Sequence, residues 1–151
     1  MIRALATALL CACNVVAAAT GAYDESADAP AEISSALRSA NRSNTDVLVV
    51  FGANWCGDCK VLDQWFKSGK VSSLIAAEFT VVKVDVGRFD RNVAIATQYG
   101  VPLKQGIPAV AVLDASGRLK SATRAGELAD ARKMGEDGIL AFFTKLAARP
   151  N

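Results

Sequence analysis

The feature that most restricts the fold is the run Asp46-Val47-Leu48-Val49-Val50-Phe51, followed after Gly52-Ala53-Asn54 by Trp55-Cys56-Gly57-Asp58-Cys59-Lys60. A continuous apolar run rich in β-branched residues reads as a strand covered on both faces. Such a strand needs other strands beside it and helices above and below. From Cys59 to Lys67 the spacing turns helical, with Leu62, Trp65 and Phe66 on one side. The cysteine pair therefore sits where a buried strand hands over to a helix.

The rest of the chain fits around that unit. Ile33, Ala36, Leu37 and Ala40 predict an amphipathic helix over 31–40, and 41–45 is a polar loop. A short helix over 71–77 follows the stop Ser68-Gly69-Lys70, and the alternating stretch 79–86 is a strand. Residues 90–99 read as a helix ended by Gly100, and 101–106 as a loop carrying Pro102. Strands over 109–113 and 118–123 flank the turn Asp114-Ala115-Ser116-Gly117, and a final helix spans 138–148. Alternating strands and helices ending in a hairpin predict an α/β fold: a central mixed sheet flanked by helices. With 151 residues, 52% of them apolar, the chain has room for one domain with one core.

The first residues belong to something else. Met1-Ile2-Arg3 is positive, and 4–19 is apolar or small apart from Thr7 and Asn14. This is the pattern of a secretory signal peptide, over 1–22, with cleavage before Thr20 or before Tyr23. The stretch is shorter than the ~20 residues a spanning helix needs. Leu10-Cys11-Ala12-Cys13 also resembles a lipobox, so a membrane-anchored lipoprotein lipidated at Cys13 is the alternative. Residues 23–30 are small and acidic and read as a linker, which leaves 31–149 as the domain. Export, with the bacterial periplasm as the expected location, places the chain where disulfides persist.

With Cys11 and Cys13 assigned to the leader, Cys56 and Cys59 are the only cysteines of the mature chain. Their loop is too small to staple a fold, so their purpose is chemical. The chain has no histidine, which removes Ser-His-Asp and Cys-His catalysis and leaves zinc without four ligands. Lys60 stands where c-type haem attachment needs histidine. Neither a metal nor an organic cofactor is expected. The net charge of +2, with both signs interspersed, gives no reason to expect nucleic acid as a partner.

A cysteine at a helix N-terminus meets unsatisfied N–H groups and the positive end of the helix dipole, and both favour thiolate. Lowering a thiol pKa from ~8.5 to ~7 takes about 2 kcal/mol, which terminus and hydrogen bonds must share. Cys56, at the exposed end, would attack a substrate disulfide, and Cys59, one turn inward, would attack Cys56 and release the reduced substrate.

Val47 to Lys60, VLVVFGANWCGDCK, resembles the active-site strand and helix start of the thioredoxin superfamily. Gly106-Ile107-Pro108 before the strand 109–113 resembles its second signature, in which the proline follows a cis bond and faces the cysteines. The stretches FGANWC, VDVG-FDRN and GELA-ARKM are similar to those of small exported bacterial thioredoxin-like proteins, some labelled disulfide isomerases. The resemblance covers about 31–148. It implies catalysis by Cys56 and Cys59, support from Trp55, Gly57, Asp58, Lys83 and Pro108, and substrate contacts at Trp55, Ile107, Pro108 and Gly126. It also implies protein or peptide partners bearing disulfides or thiols and an upstream redox partner; nothing in the sequence announces a dimer, so a monomer is expected.

Two departures stand out. Thioredoxins place a buried aspartate where this chain has Val50, and Gly57-Asp58 replaces the commoner Gly-Pro. The charge of Asp58 near Cys56 would oppose thiolate formation and favour a moderately reducing couple. The loop 101–106 and the Ala- and charge-rich stretch 127–137 are longer than is usual, as tolerated surface loops or as determinants of partner choice. The resulting expectation is a protein disulfide reductase or isomerase. The alternatives are a redox partner dedicated to cytochrome or copper-protein assembly, and a non-catalytic binding module.

Overall fold

The computed structural model describes residues 21–148. The expected leader and the lipidation site at Cys13 lie outside the described residues, apart from Gly21 and Ala22. The elements run α1 (Ala29–Ser43), β1 (Asp46–Gly52), α2 (Gly57–Trp65), α3 (Gly69–Glu78), β2 (Phe79–Asp85), α4 (Val93–Gln98), a 3-10 turn (Leu103–Gln105), β3 (Ala109–Leu113), β4 (Leu119–Ala122) and α5 (Ala131–Ala147).

The sheet has the order β2-β1-β3-β4. β1 is parallel to β2 and antiparallel to β3, and β3 pairs antiparallel with β4. This is the mixed sheet that the hairpin requires. Six of the seven residues of β1 are buried, as expected of a strand covered on both faces. Val47, Val49 and Phe51 pack with Ile33, Ala36 and Ala40 of α1, whereas Leu48 and Val50 pack with Leu62, Val71, Ile139 and Phe143. Helix α1 therefore covers one face, and α2, α3 and α5 the other.

Three segments differ from the expectations. Residues 23–30, read as a linker, pack against the domain. Asp28 caps α1, its carboxylate accepting the Ala31 N–H at 3.1 Å, with a proline in the first turn, and Tyr23 is buried. Small, acidic composition disguised a capped helix start. The helix expected from residue 90 begins at Val93, because the Phe89, Asp90 and Arg91 N–H groups all turn back onto the Val86 carbonyl. The stretch 127–137 is not a free loop either: residues 131–134 are helical, and Gly135 alone (φ 66°, ψ 178°) breaks the path into the rest of α5.

Candidate active site

Cys56 occupies the N-cap of α2 with extended backbone (φ −78°, ψ 115°), and its Sγ accepts the Cys59 N–H at 3.1 Å. The sulfur thus stands where a Ser or Asp oxygen normally caps a helix, at the positive end of the dipole. Cys56 and Cys59 are joined as a disulfide. Cys56 is 5% exposed and Cys59 is fully buried, so of the two only the first residue reaches the surface, and narrowly. Ile107-Pro108 is a cis peptide bond, and the Ile107 carbonyl oxygen lies 3.6 Å from Cys56 Sγ. Two segments 51 residues apart thus meet at one sulfur.

Trp55 is 48% exposed, and its indole N–H donates to the Gly87 carbonyl at 2.7 Å. Phe89 meets it edge to face at 5.8 Å, and the Arg88 guanidinium lies 5.8 Å from the ring centre. Phe89 is itself 45% exposed at φ 65°, a conformation that bulky side chains seldom adopt. The 86–92 turn thus holds an aromatic side chain in solvent beside Trp55.

Asp58 does not act on Cys56 as an isolated charge. Its carboxylate accepts the Arg132 backbone N–H at 2.9 Å and Nε–H at 3.1 Å, with the guanidinium Nη2 at 3.1 Å. Burial alone would raise its pKa, but these bonds hold the carboxyl below the usual carboxylate range. The expectation treated Asp58 as a lone charge beside Cys56; the structure pairs it with the Arg132 guanidinium, whose positive charge opposes the effect of the carboxylate on the nearby sulfur. A Cβ at Gly57 would come within 3.3 Å of the guanidinium, a tight contact that Arg132 would have to relieve by a few tenths of an ångström.

Lys83 lies on edge strand β2, and its ammonium binds Asp63 of α2, four residues beyond Cys59; Asp63 also holds Lys67 at 2.6 Å. Burial works against the charge of Asp63, and the hydrogen bonds from Lys67 and Lys83 overcome it, keeping its pKa low. Val50 pairs in register with Lys83, and its side chain is packed in the core. The lysine's carboxylate thus comes from the helix after the cysteines and not from β1.

Gly126 takes φ 72°, and a Cβ on it would overlap the Gln105 carbonyl oxygen. It lets the start of the last segment press on the loop leading into Pro108. Gly126→Ala is expected to cost about 1–3 kcal/mol, from the left-handed backbone and the overlap together. Urea denaturation measures this, and an unchanged midpoint would refute it.

Residue reading alone missed Arg132, Asp63 and Tyr23. Asp63 was within reach, since i and i+4 share a helix face with Cys59; Arg132 lies in the ARKM stretch, but no local pattern ties it to Asp58. Among the described residues no group of three or more His, Cys, Asp or Glu is placed to hold a metal ion.

The sequence profile of the thioredoxin-like family matches residues 28–115. The chain is similar to the crystal structure of a disulphide isomerase from Xylella fastidiosa Temecula1, with 47% identity and a TM-score of 0.81, covering 85% of this chain and 98% of that one. It is also similar in fold to a thioredoxin from Thermus thermophilus, with 20% identity and a TM-score of 0.55, over 76% of this chain and 83% of that one. With its paired cysteines capping α2 beside a cis-proline, the chain belongs to the thioredoxin-like family and is a thiol–disulfide oxidoreductase.

Proposed function

We propose that this oxidoreductase serves proteins as a disulfide reductase or isomerase in an exported compartment, the bacterial periplasm. The carrying observation is the placement of Cys56 Sγ 3.6 Å from the Ile107 carbonyl, at the foot of the exposed Trp55–Phe89 pair. An extended polypeptide pairing with the backbone of the Ile107-Pro108 loop would bring its own disulfide to Cys56 while an apolar side chain rests on the two rings. The 47% identity to a disulphide isomerase supports the same reading. The leader pattern over 1–22 supports export, and no helix among the described residues is long and apolar enough to cross a membrane.

Because Arg132 offsets Asp58, the couple should be less reducing than an unpaired Asp58 would make it. A potential between about −180 and −270 mV is expected, in the range of isomerases and thioredoxins. The test pairs that measurement against glutathione with two assays: reduction of insulin, and reactivation of a protein carrying scrambled disulfides. Activity in either assay supports the reading. A potential near −120 mV, typical of strong oxidants, with neither activity would refute it.

A further inference from the structure

Resolution of the mixed disulfide requires Cys59 to become a thiolate, yet its side chain is fully buried. Burial disfavours the charged form of a thiol, so a polar hydrogen near that sulfur decides how readily it ionises. The structure brings a phenol into the neighbourhood of that sulfur from an unexpected part of the chain. A Cβ added to Gly52 would overlap Tyr23 Oη and Cζ and would lie 2.9 Å from Cys59 Sγ. The phenol and the inner sulfur thus share the small space that this glycine leaves open at the end of β1. Tyr23 is 2% exposed and belongs to the same core cluster as both cysteines.

The position of Tyr23 is held independently of its ring. Asn54, two residues before Cys56, accepts the Tyr23 N–H at 2.9 Å through Oδ1 and donates from Nδ2 to the Tyr23 carbonyl at 2.8 Å. Arg91 donates to the Glu25 carbonyl at 3.0 Å and continues the fastening. The segment before α1 is therefore a strap tied to the cysteine loop, with one phenol pointing inward.

We propose that Tyr23 is a positioning residue for Cys59, its phenol O–H serving as the hydrogen-bond donor that stabilises the inner sulfur as a thiolate when the mixed disulfide is resolved. The inference rests on the thiol–disulfide exchange described above and adds a residue to it. The Cys59 thiolate attacks Cys56 Sγ, and the bond between Cys56 and the substrate sulfur breaks. Its electron pair leaves on the substrate sulfur, which takes up a proton. The cysteines end oxidised as a disulfide, and the substrate ends reduced. The proton lost earlier by Cys59 goes to solvent and not to Tyr23. Burial, reinforced by the carboxylates of Asp63 and Asp85, pushes the phenol pKa far above its ordinary value, so Tyr23 keeps its hydrogen and can only donate. The charges facing this space are Asp63 from α2 with its partners Lys67 and Lys83, Asp85 from β2, and Arg91 from the following turn, 3.6 Å from Asp85.

The experiment uses the reduced protein and 5,5′-dithiobis(2-nitrobenzoate) in stopped flow. The first thionitrobenzoate released reports attack by Cys56, and the second reports resolution by Cys59. In Tyr23→Phe the second phase is expected to slow about tenfold at pH 7, with the midpoint of its pH profile moved up by about one unit, since thiolate fraction below the pKa falls tenfold per unit. The first phase, isolated in a Cys59→Ser background, is expected to be unchanged. 3,5-Difluorotyrosine at position 23 keeps the shape and sharpens the donor, so it is expected to speed the second phase and lower the midpoint. A second phase and pH profile in Tyr23→Phe matching those of the unsubstituted protein would overturn the proposal, as would fluorination without effect. Release of no more than one thionitrobenzoate per unsubstituted protein, or release that survives in Cys56→Ser, would instead overturn the exchange reading itself.

Discussion

Cys56→Ser is expected to reduce insulin no faster than the uncatalysed reaction, whereas Cys59→Ser is expected to stop after one turnover as a stable mixed disulfide with the substrate. The asymmetry follows from burial and from capping. Cys56 retains a small exposure, accepts the Cys59 N–H as the helix cap and lies beside the Ile107 carbonyl, so substrate sulfur meets it first. A serine hydroxyl in that place could still cap α2 and preserve the fold, but it has no thiolate to offer. Cys59 is fully buried and can reach only the sulfur of Cys56. Replacing it therefore spares the first step and removes the second. Mass spectrometry after denaturation without reductant separates the outcomes. A covalent adduct on Cys59→Ser and none on Cys56→Ser is the expected result. Steady turnover by Cys56→Ser, or an adduct carried by Cys59, would show that the roles are assigned the wrong way round.

How much of this site could be read from residue order depends on how far apart its parts lie in the chain. The strand 46–51 and the helix carrying Cys59 are contiguous, so hydrophobic pattern sufficed to place the cysteines at their junction. The hairpin around Asp114 and Gly117 was legible for the same reason, and β3 matches its expected limits. The charge partners were not legible. Asp58 and Arg132 are 74 residues apart, Asp63 and Lys83 are 20 apart, and Tyr23 and Asn54 are 31 apart. Each pairing depends on the packing of separate elements, which no local pattern encodes. The stretch 127–137 illustrates the cost. Its alanines and charges suggested a surface loop, yet Arg132 in it grips Asp58, and Glu136 accepts the Lys70 N–H at 2.8 Å at the start of α3. The partner of Asp58 was therefore missed from sequence, while the position of the cysteine pair was not.

Removing the carboxylate of Asp63 is expected to be the largest single loss of stability among the charged groups around the cysteines. Asp63→Asn strips both Lys67 and Lys83 of their anionic partner. Lys67 is largely exposed and loses little, but Lys83 is only 26% exposed on its strand and is left with an uncompensated charge. Breaking a fully buried pair costs 3–5 kcal/mol; with Lys83 partly hydrated, about 2–3 kcal/mol is expected at pH 7. The effect carries a pH signature. The folded-state pKa of Asp63 is held below its unfolded value, so its contribution is complete above the ordinary carboxylate value of ~4 and is lost as pH falls through the folded pKa. The unsubstituted protein should therefore lose stability steeply below about pH 4, and Asp63→Asn less steeply. Urea titrations of the oxidised forms at pH 7 and at pH 3 measure this directly. The gap between the two proteins should narrow on acidification, because protonation does to Asp63 what the substitution has already done. A gap of equal size at both pH values would mean that Asp63 acts through shape alone, and the ion pair with Lys83 would lose its claim to hold α2 against β2.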